Sequence, residues 1–196
     1  MVNKNKYEAG NSLPASFSIR YFYTLWITVF LFCLIIPEKA FSQKVTKDYS
    51  VMQQESGALY FIYPKDGFRS DHSKSELVFD ITHLDSSDSL TFNFTYIDPM
   101  LFQIDSLSVQ YNDEFYISAP ASKIFIEPSK SKWSYRYGAF FAFHDFDRLF
   151  DFSQSPEIKL YCGENTISLK MKQNKWKKES QLISRIFDII RLNREK

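Results

Sequence analysis

The chain has 196 residues, 24 basic and 23 acidic side chains, and 35 aromatic residues (20 Phe, 12 Tyr, 3 Trp) against only five glycines. That length suits one domain with a possible appendage. A formal charge of +1 argues against a general nucleic-acid binder, so many rings exclude a mainly disordered chain, and the scarcity of glycine excludes collagen and Gly-rich nucleotide loops.

The first predicted element is an export signal. Residues 21–36, YFYTLWITVFLFCLII, carry no charge and follow Arg20, with Lys4 and Lys6 upstream. Sixteen such residues make about 24 Å of helix, short of the roughly 30 Å hydrocarbon core. Ala40 and Ser42 are small residues in the positions a signal peptidase reads, so residues 1–42 are expected to be a cleavable secretory signal peptide with a long N-terminal region, cut between Ser42 and Gln43. The alternative is an inner-membrane anchor formed by residues 21–36, which N-terminal sequencing would reveal by residues retained before Gln43. Cys33 follows Leu31 and Phe32 rather than small residues, which argues against lipidation. The Phe41-Ser42-Gln43 ending resembles signal-peptide ends of Bacteroidota, which implies a periplasmic or cell-surface location.

Cleavage would leave 154 residues with net charge −1, 26 aromatics and one cysteine, Cys162. A lone cysteine in an exported chain makes no internal disulfide, so packing alone must hold the core. A buried, inert thiol is the expectation.

Along residues 43–173 the pattern has strand periodicity. Ala58–Tyr63 is an apolar run closed by Pro64-Lys65-Asp66-Gly67, a turn signal. Leu77, Phe79 and Ile81 alternate with polar neighbours, as do Leu90, Phe92, Phe94 and Tyr96, and Asp85-Ser86-Ser87-Asp88 between them predicts a hairpin. Leu107, Val109 and Tyr111 continue the alternation, and Phe115–Ile117 and Ile124–Ile126 are shorter candidates. Trp133–Phe143 is apolar on both faces, which predicts a central strand covered on both sides. Asp145 or Asp147 is expected to cap a short helix through Phe150. Ile158, Leu160 and Cys162 pair across Gly163-Glu164-Asn165 with Ile167, Leu169 and Met171.

A C-terminal amphipathic helix is predicted over residues 174–196, its regular part from Lys175 to about Asn193 with Asn174 as N-cap. Its apolar stripe is Leu182, Ile183, Ile186, Phe187, Ile189 and Ile190. Eight or nine strands plus one helix specify a mainly β, antiparallel fold. A β-sandwich or strongly bent sheet with the helix packed on it is expected, with a lipocalin-like barrel as the alternative.

Chemistry is sparse in the pattern. His72, His83 and His144 are isolated, and no G-x-S-x-G motif occurs, so no catalytic residue, metal site or cofactor is expected. One of these histidines sharing a pocket with two carboxylates would instead favour a small hydrolase-like envelope enzyme. Trp133, Tyr135 and Tyr137, interleaved with Lys130, Lys132 and Arg136, form a candidate binding platform, weighed against burial in the core. Residues 43–169 have net charge −7 and residues 170–196 net +6. Within the latter, Lys170, Lys172, Lys175, Lys177 and Lys178 with Trp176 form a second candidate surface, weighed against simple neutralisation of the acidic body. Candidate partners are a glycan, an anionic envelope component or another protein. Asp88-Ser89-Leu90 and Asp105-Ser106-Leu107 resemble O-glycosylation sites of exported Bacteroidota proteins, which would put a sugar on Ser89 or Ser106. The expected function is that of an exported, non-catalytic protein that binds or scaffolds; the alternatives are the envelope enzyme and a membrane-anchored interaction protein.

Overall fold

The computed structural model describes residues 47–71 and 73–194. The predicted leader 1–42 with its cleavage point, and His72, lie outside the described residues. Eleven strands are present among them: β1 (Tyr49–Gln54), β2 (Gly57–Ile62), β3 (Phe68–Arg69), β4 (Glu76–Leu84), β5 (Ser89–Asp98), β6 (Ser106–Tyr111), β7 (Phe115–Pro120), β8 (Ser122–Ser129), β9 (Lys132–Ala142), β10 (Glu157–Cys162) and β11 (Asn165–Lys170). A short helix α1 (Phe143–Asp147) and a 3-10 turn (Arg148–Asp151) follow β9, and helix α2 (Gln173–Arg194) follows β11. None of these helices is long and apolar enough to cross a membrane.

All the strands belong to one antiparallel sheet, in the order β7-β6-β10-β11-β3-β4-β5-β9-β8, with β2 also paired to β4 and β1 to β2. The strands at the two ends of that order, β7 and β8, are joined in the chain by Ala121 alone. The ends therefore meet, and the sheet rolls into a nearly closed barrel. A strongly bent, barrel-like antiparallel sheet with a C-terminal helix is thus the fold. Two strands beyond the expected eight or nine are β1, whose outer half is exposed, and β3, two residues long. Neither has a long enough apolar alternation to register as a strand.

Alternation places the core. From β4, Leu77, Phe79 and Ile81 point inward; from β5, Leu90, Phe92, Phe94 and Tyr96; from β9, Tyr135, Tyr137 and Phe141. Phe92 lies 5.1 Å from Phe79, 6.0 Å from Phe94 and 5.6 Å from Phe146 of α1, ring centre to ring centre. On the outer face Asp80 pairs with Arg136, which also donates to Thr95 Oγ1 at 3.1 Å, while Asn93 donates to Asp80 at 3.0 Å. This outer face corrects the expectation for residues 133–143. β9 is central in its pairing, but its second face is open at the end of the strand, where Ala142 is exposed and Phe140 is 64% exposed.

The helices differ from expectation at their starts. α1 begins at Phe143, its N-cap is Ala142 without a side-chain cap, and Asp145 and Asp147 lie within it. α2 begins at Gln173, so Asn174 lies inside the helix, and the Lys172 carbonyl accepts the N–H groups of Lys175 and Trp176. The buried stripe of α2 runs through Trp176, Glu179, Ser180, Ile183, Ile186, Phe187 and Ile190. Trp176 extends it nearly two turns further toward the N-terminus than the sequence pattern indicates.

Glu179 falls within that stripe because three- and four-residue steps from Trp176 and Ile183 meet there. It is 1% exposed, and neither carboxylate oxygen has a hydrogen-bond partner among the described residues. Burial pushes its pKa up; the facing Lys65 backbone N–H and the charges of Lys178 and Lys65 oppose this, and Asp66 adds to it. A carboxyl group with a raised native pKa favours folding fully below its unfolded pKa, and that benefit is lost as pH rises through the native value. Glu179→Gln is therefore expected to stabilise the protein by about 1 kcal/mol at pH 7, with the gap to wild type closing toward pH 4. Urea unfolding at both pH values measures it. An equal gap at the two pH values would show that ionisation of Glu179 is not its source.

Candidate functional site

Strands β5 and β6 are not neighbours in the sheet, so the segment Pro99–Asp105 that joins them must cross an end of the barrel. Two interior tyrosines hold it. Tyr135 donates its hydroxyl to the Met100 carbonyl and accepts the Phe102 N–H at 3.3 Å, and Tyr137 accepts the Ile104 N–H at 3.3 Å. Phe102 stacks on Tyr135 with ring centres 5.0 Å apart. Met100 and Leu101 cannot join the core from this position and stand 70% and 60% exposed.

Beside this segment lies a cavity of about 650 Å³, within the range of small-molecule sites. Met100, Leu101, Phe102 and Ile167 supply its apolar lining, and Tyr96 and Asp98 a polar part. The Asp98 carboxylate, 8% exposed, accepts hydrogen bonds from Ser75 Oγ (2.5 Å), Tyr96 OH (2.8 Å) and the Met100 N–H (2.8 Å). Burial raises the pKa values of Tyr96 and Tyr135, so both hydroxyls stay protonated. Cys162 also lines the cavity; burial, with Asp105 and Asp98 adding to it, pushes its thiol up to about 11. At neutral pH that cysteine is a protonated thiol and a poor nucleophile.

No protein-family model, curated protein or solved structure matches this chain.

The aromatic platform is not assembled. Tyr135 and Tyr137 are 0% and 1% exposed inside the barrel, which removes them from any outer surface, and Trp133 is half-buried against the core. Arg136, interleaved with them, points to the opposite face because neighbouring strand residues alternate. Trp176 is likewise interior, its Nε1 donating to the Phe152 carbonyl at 3.1 Å.

The lysines fare differently. Lys170, Lys172 and Lys175 line a cavity of about 440 Å³ together with Arg69, which no sequence pattern linked to them. Arg69 stands directly opposite Lys170 in the single register pair that joins β3 to β11. Facing like charges destabilise a ladder, but here Arg69 bonds Glu76 at 2.8 Å and Lys175 pairs with Asp66. These pairs neutralise the acidic body locally. Lys177 and Lys178 are exposed on α2 and do not line this cavity. Ser89 is exposed at the start of β5, whereas Ser106 is half-buried in β6 between two paired strands.

His83 is a core residue, 1% exposed and stacked on Phe143 at 4.4 Å. Its Nδ1 lies 3.0 Å from the Ser89 carbonyl, which can only accept, so that nitrogen carries the proton. Burial lowers its pKa and keeps the ring neutral. His144 does share a cavity of about 480 Å³ with Asp88 and Asp147. Both carboxylates are engaged by arginines, Asp88 by Arg194 at 2.6 Å and Asp147 by Arg191. Neither orients the imidazole, as a base and its partner would require.

Proposed function

We propose that this is an exported, non-catalytic binding protein of the cell envelope whose barrel-end cavity holds a small, largely apolar ligand. The observation that carries the reading is the cavity of about 650 Å³ at Pro99–Phe102, apolar along one side and polar where Asp98 and Tyr96 face it. Large concave sites of this mixed lining are where proteins take small molecules, because burial supplies affinity and a few fixed polar groups supply orientation. The positive, apolar N-terminal segment with its Ala40/Ser42 processing site supports the export part of the proposal.

The apolar fluorophore N-phenyl-1-naphthylamine tests the binding part. The purified protein is expected to bind it with enhanced fluorescence, and the double variant Met100→Ser, Leu101→Ser to bind it at least about tenfold more weakly, since each lost side chain contributes of order 1.5–3 kcal/mol when fully buried. No binding, or equal binding by the variant, would overturn the assignment of this cavity.

A second reading, a small envelope enzyme, is favoured by His144 lying in one cavity with Asp88 and Asp147. The arginines that hold both carboxylates weigh against it.

A further inference from the structure

The polar part of the barrel-end cavity carries an unusual charge arrangement. The Asp98 carboxylate is more than nine-tenths buried, yet all three of its hydrogen-bond donors are neutral: a serine hydroxyl, a tyrosine hydroxyl and a backbone N–H. No lysine or arginine forms an ion pair with it among the described residues; Lys74 lines the same cavity but is exposed and unpaired with Asp98. A carboxylate has room for about four acceptor contacts, so one remains, and the bond to the Met100 N–H leaves it on Oδ1. A buried carboxylate without a counter-charge is costly, and that cost falls when a cation arrives.

The loop itself does not require the charge. The Asp98 Oδ1 bond to the N–H two residues on is a turn that asparagine makes equally well. The hydroxyls of Ser75 and Tyr96 can each donate or accept. The charge is thus surplus to the local architecture.

We propose that the cavity takes a cationic amphiphile, its ammonium group bound to the Asp98 carboxylate and its apolar body against Met100, Leu101, Phe102 and Ile167. This rests on the barrel-end cavity being the ligand site. The competing arrangement is a fatty-acid-like anion with its carboxylate toward Lys74 at the rim. Lys74 is exposed to water and screened by salt, whereas Asp98 acts in a drier environment where a charge is felt more strongly.

Octylamine, octanol and octanoate share one apolar body and differ in the head, so their displacement of N-phenyl-1-naphthylamine from the purified protein at pH 7 separates the cases. Octylamine is expected to displace the probe at least about tenfold more effectively than octanoate, with octanol between them, a gap equivalent to about 1.4 kcal/mol. In Asp98→Asn, which keeps the turn and removes the charge, the gap is expected to shrink below about threefold while octanol is unchanged. Octanoate equal to or better than octylamine overturns the proposal with wild-type protein alone, whether or not the variant folds. A full octylamine preference retained in folded Asp98→Asn overturns the role of Asp98. If N-phenyl-1-naphthylamine binds and none of the three displaces it, the cationic-head proposal falls while the apolar cavity stands; if the fluorophore itself does not bind, the cavity assignment falls and the proposal with it.

Discussion

Trp176→Ala is expected to lower the stability of the protein by about 4 kcal/mol, read as a fall in the urea midpoint with little change in slope. The indole is 0% exposed on the buried face of α2, stacked on Phe150 with ring centres 5.7 Å apart and 6.3 Å from Phe68 of β3. Its removal leaves a large void and an orphaned Phe152 carbonyl. Because small domains have only about 5–15 kcal/mol of net stability, the loss takes a large share of it. No disulfide offsets it, since Cys162 is a free, buried thiol. Trp176→Phe retains a ring and is expected to lose about half as much. Circular dichroism is the suitable probe, because the mutation alters tryptophan fluorescence directly. A loss below about 1 kcal/mol for the alanine variant would mean that α2 is not integral to the core.

Gly57→Ala is expected to cost about 3 kcal/mol, from two separable sources. Gly57 opens β2 with φ at +133°, a region that L side chains rarely occupy. Its added Cβ would also collide with Asp85 Oδ1. That oxygen accepts the Ala58 N–H at 3.0 Å, while the Asp85 N–H bonds the Ala58 carbonyl at 3.0 Å, so this aspartate extends the β2–β4 pairing beyond its last register pair, Leu59 opposite Leu84. In an Asp85→Ala background the collision is gone and only backbone strain remains. The cost of Gly57→Ala is then expected to fall by about 1 kcal/mol or more, a coupling that a double-mutant cycle in urea measures. Strict additivity would place the whole effect in the backbone and none in the contact with Asp85.

The inner faces of β4, β5 and β10 were legible because each buries alternate residues over a run long enough to show the period. Residues 77–81 and 90–96 are the clearest examples. β3 was not legible, as two residues display no period, and its partner Lys170 is remote in the chain. In β9 the alternation correctly marked Tyr135 and Tyr137 as one face but not the exposure of Phe140, because a lone apolar residue on an outer face reads the same as a covered one. The candidate cavity was missed altogether. Its only sequence signal is Met100-Leu101 directly after Asp98-Pro99, an apolar pair following a turn rather than continuing a strand. Of the lysine cluster, three members share a cavity, and their fourth cation, Arg69, is contributed by a strand about a hundred residues earlier.

By itself the sequence determined which faces of the longer strands and of the last helix are apolar, and that Cys162 is the one cysteine in residues 43–196. Those properties depend on neighbours within one or two turns or strand steps, so local periodicity contains them. Only the tertiary structure decided that the sheet rolls up at Ala121, that Pro99–Asp105 crosses the barrel end, and that Asp98 and Glu179 are buried without a cationic partner in contact. Each of these depends on pairing between segments far apart in the chain, where register and closure, rather than residue type, set which side chains meet.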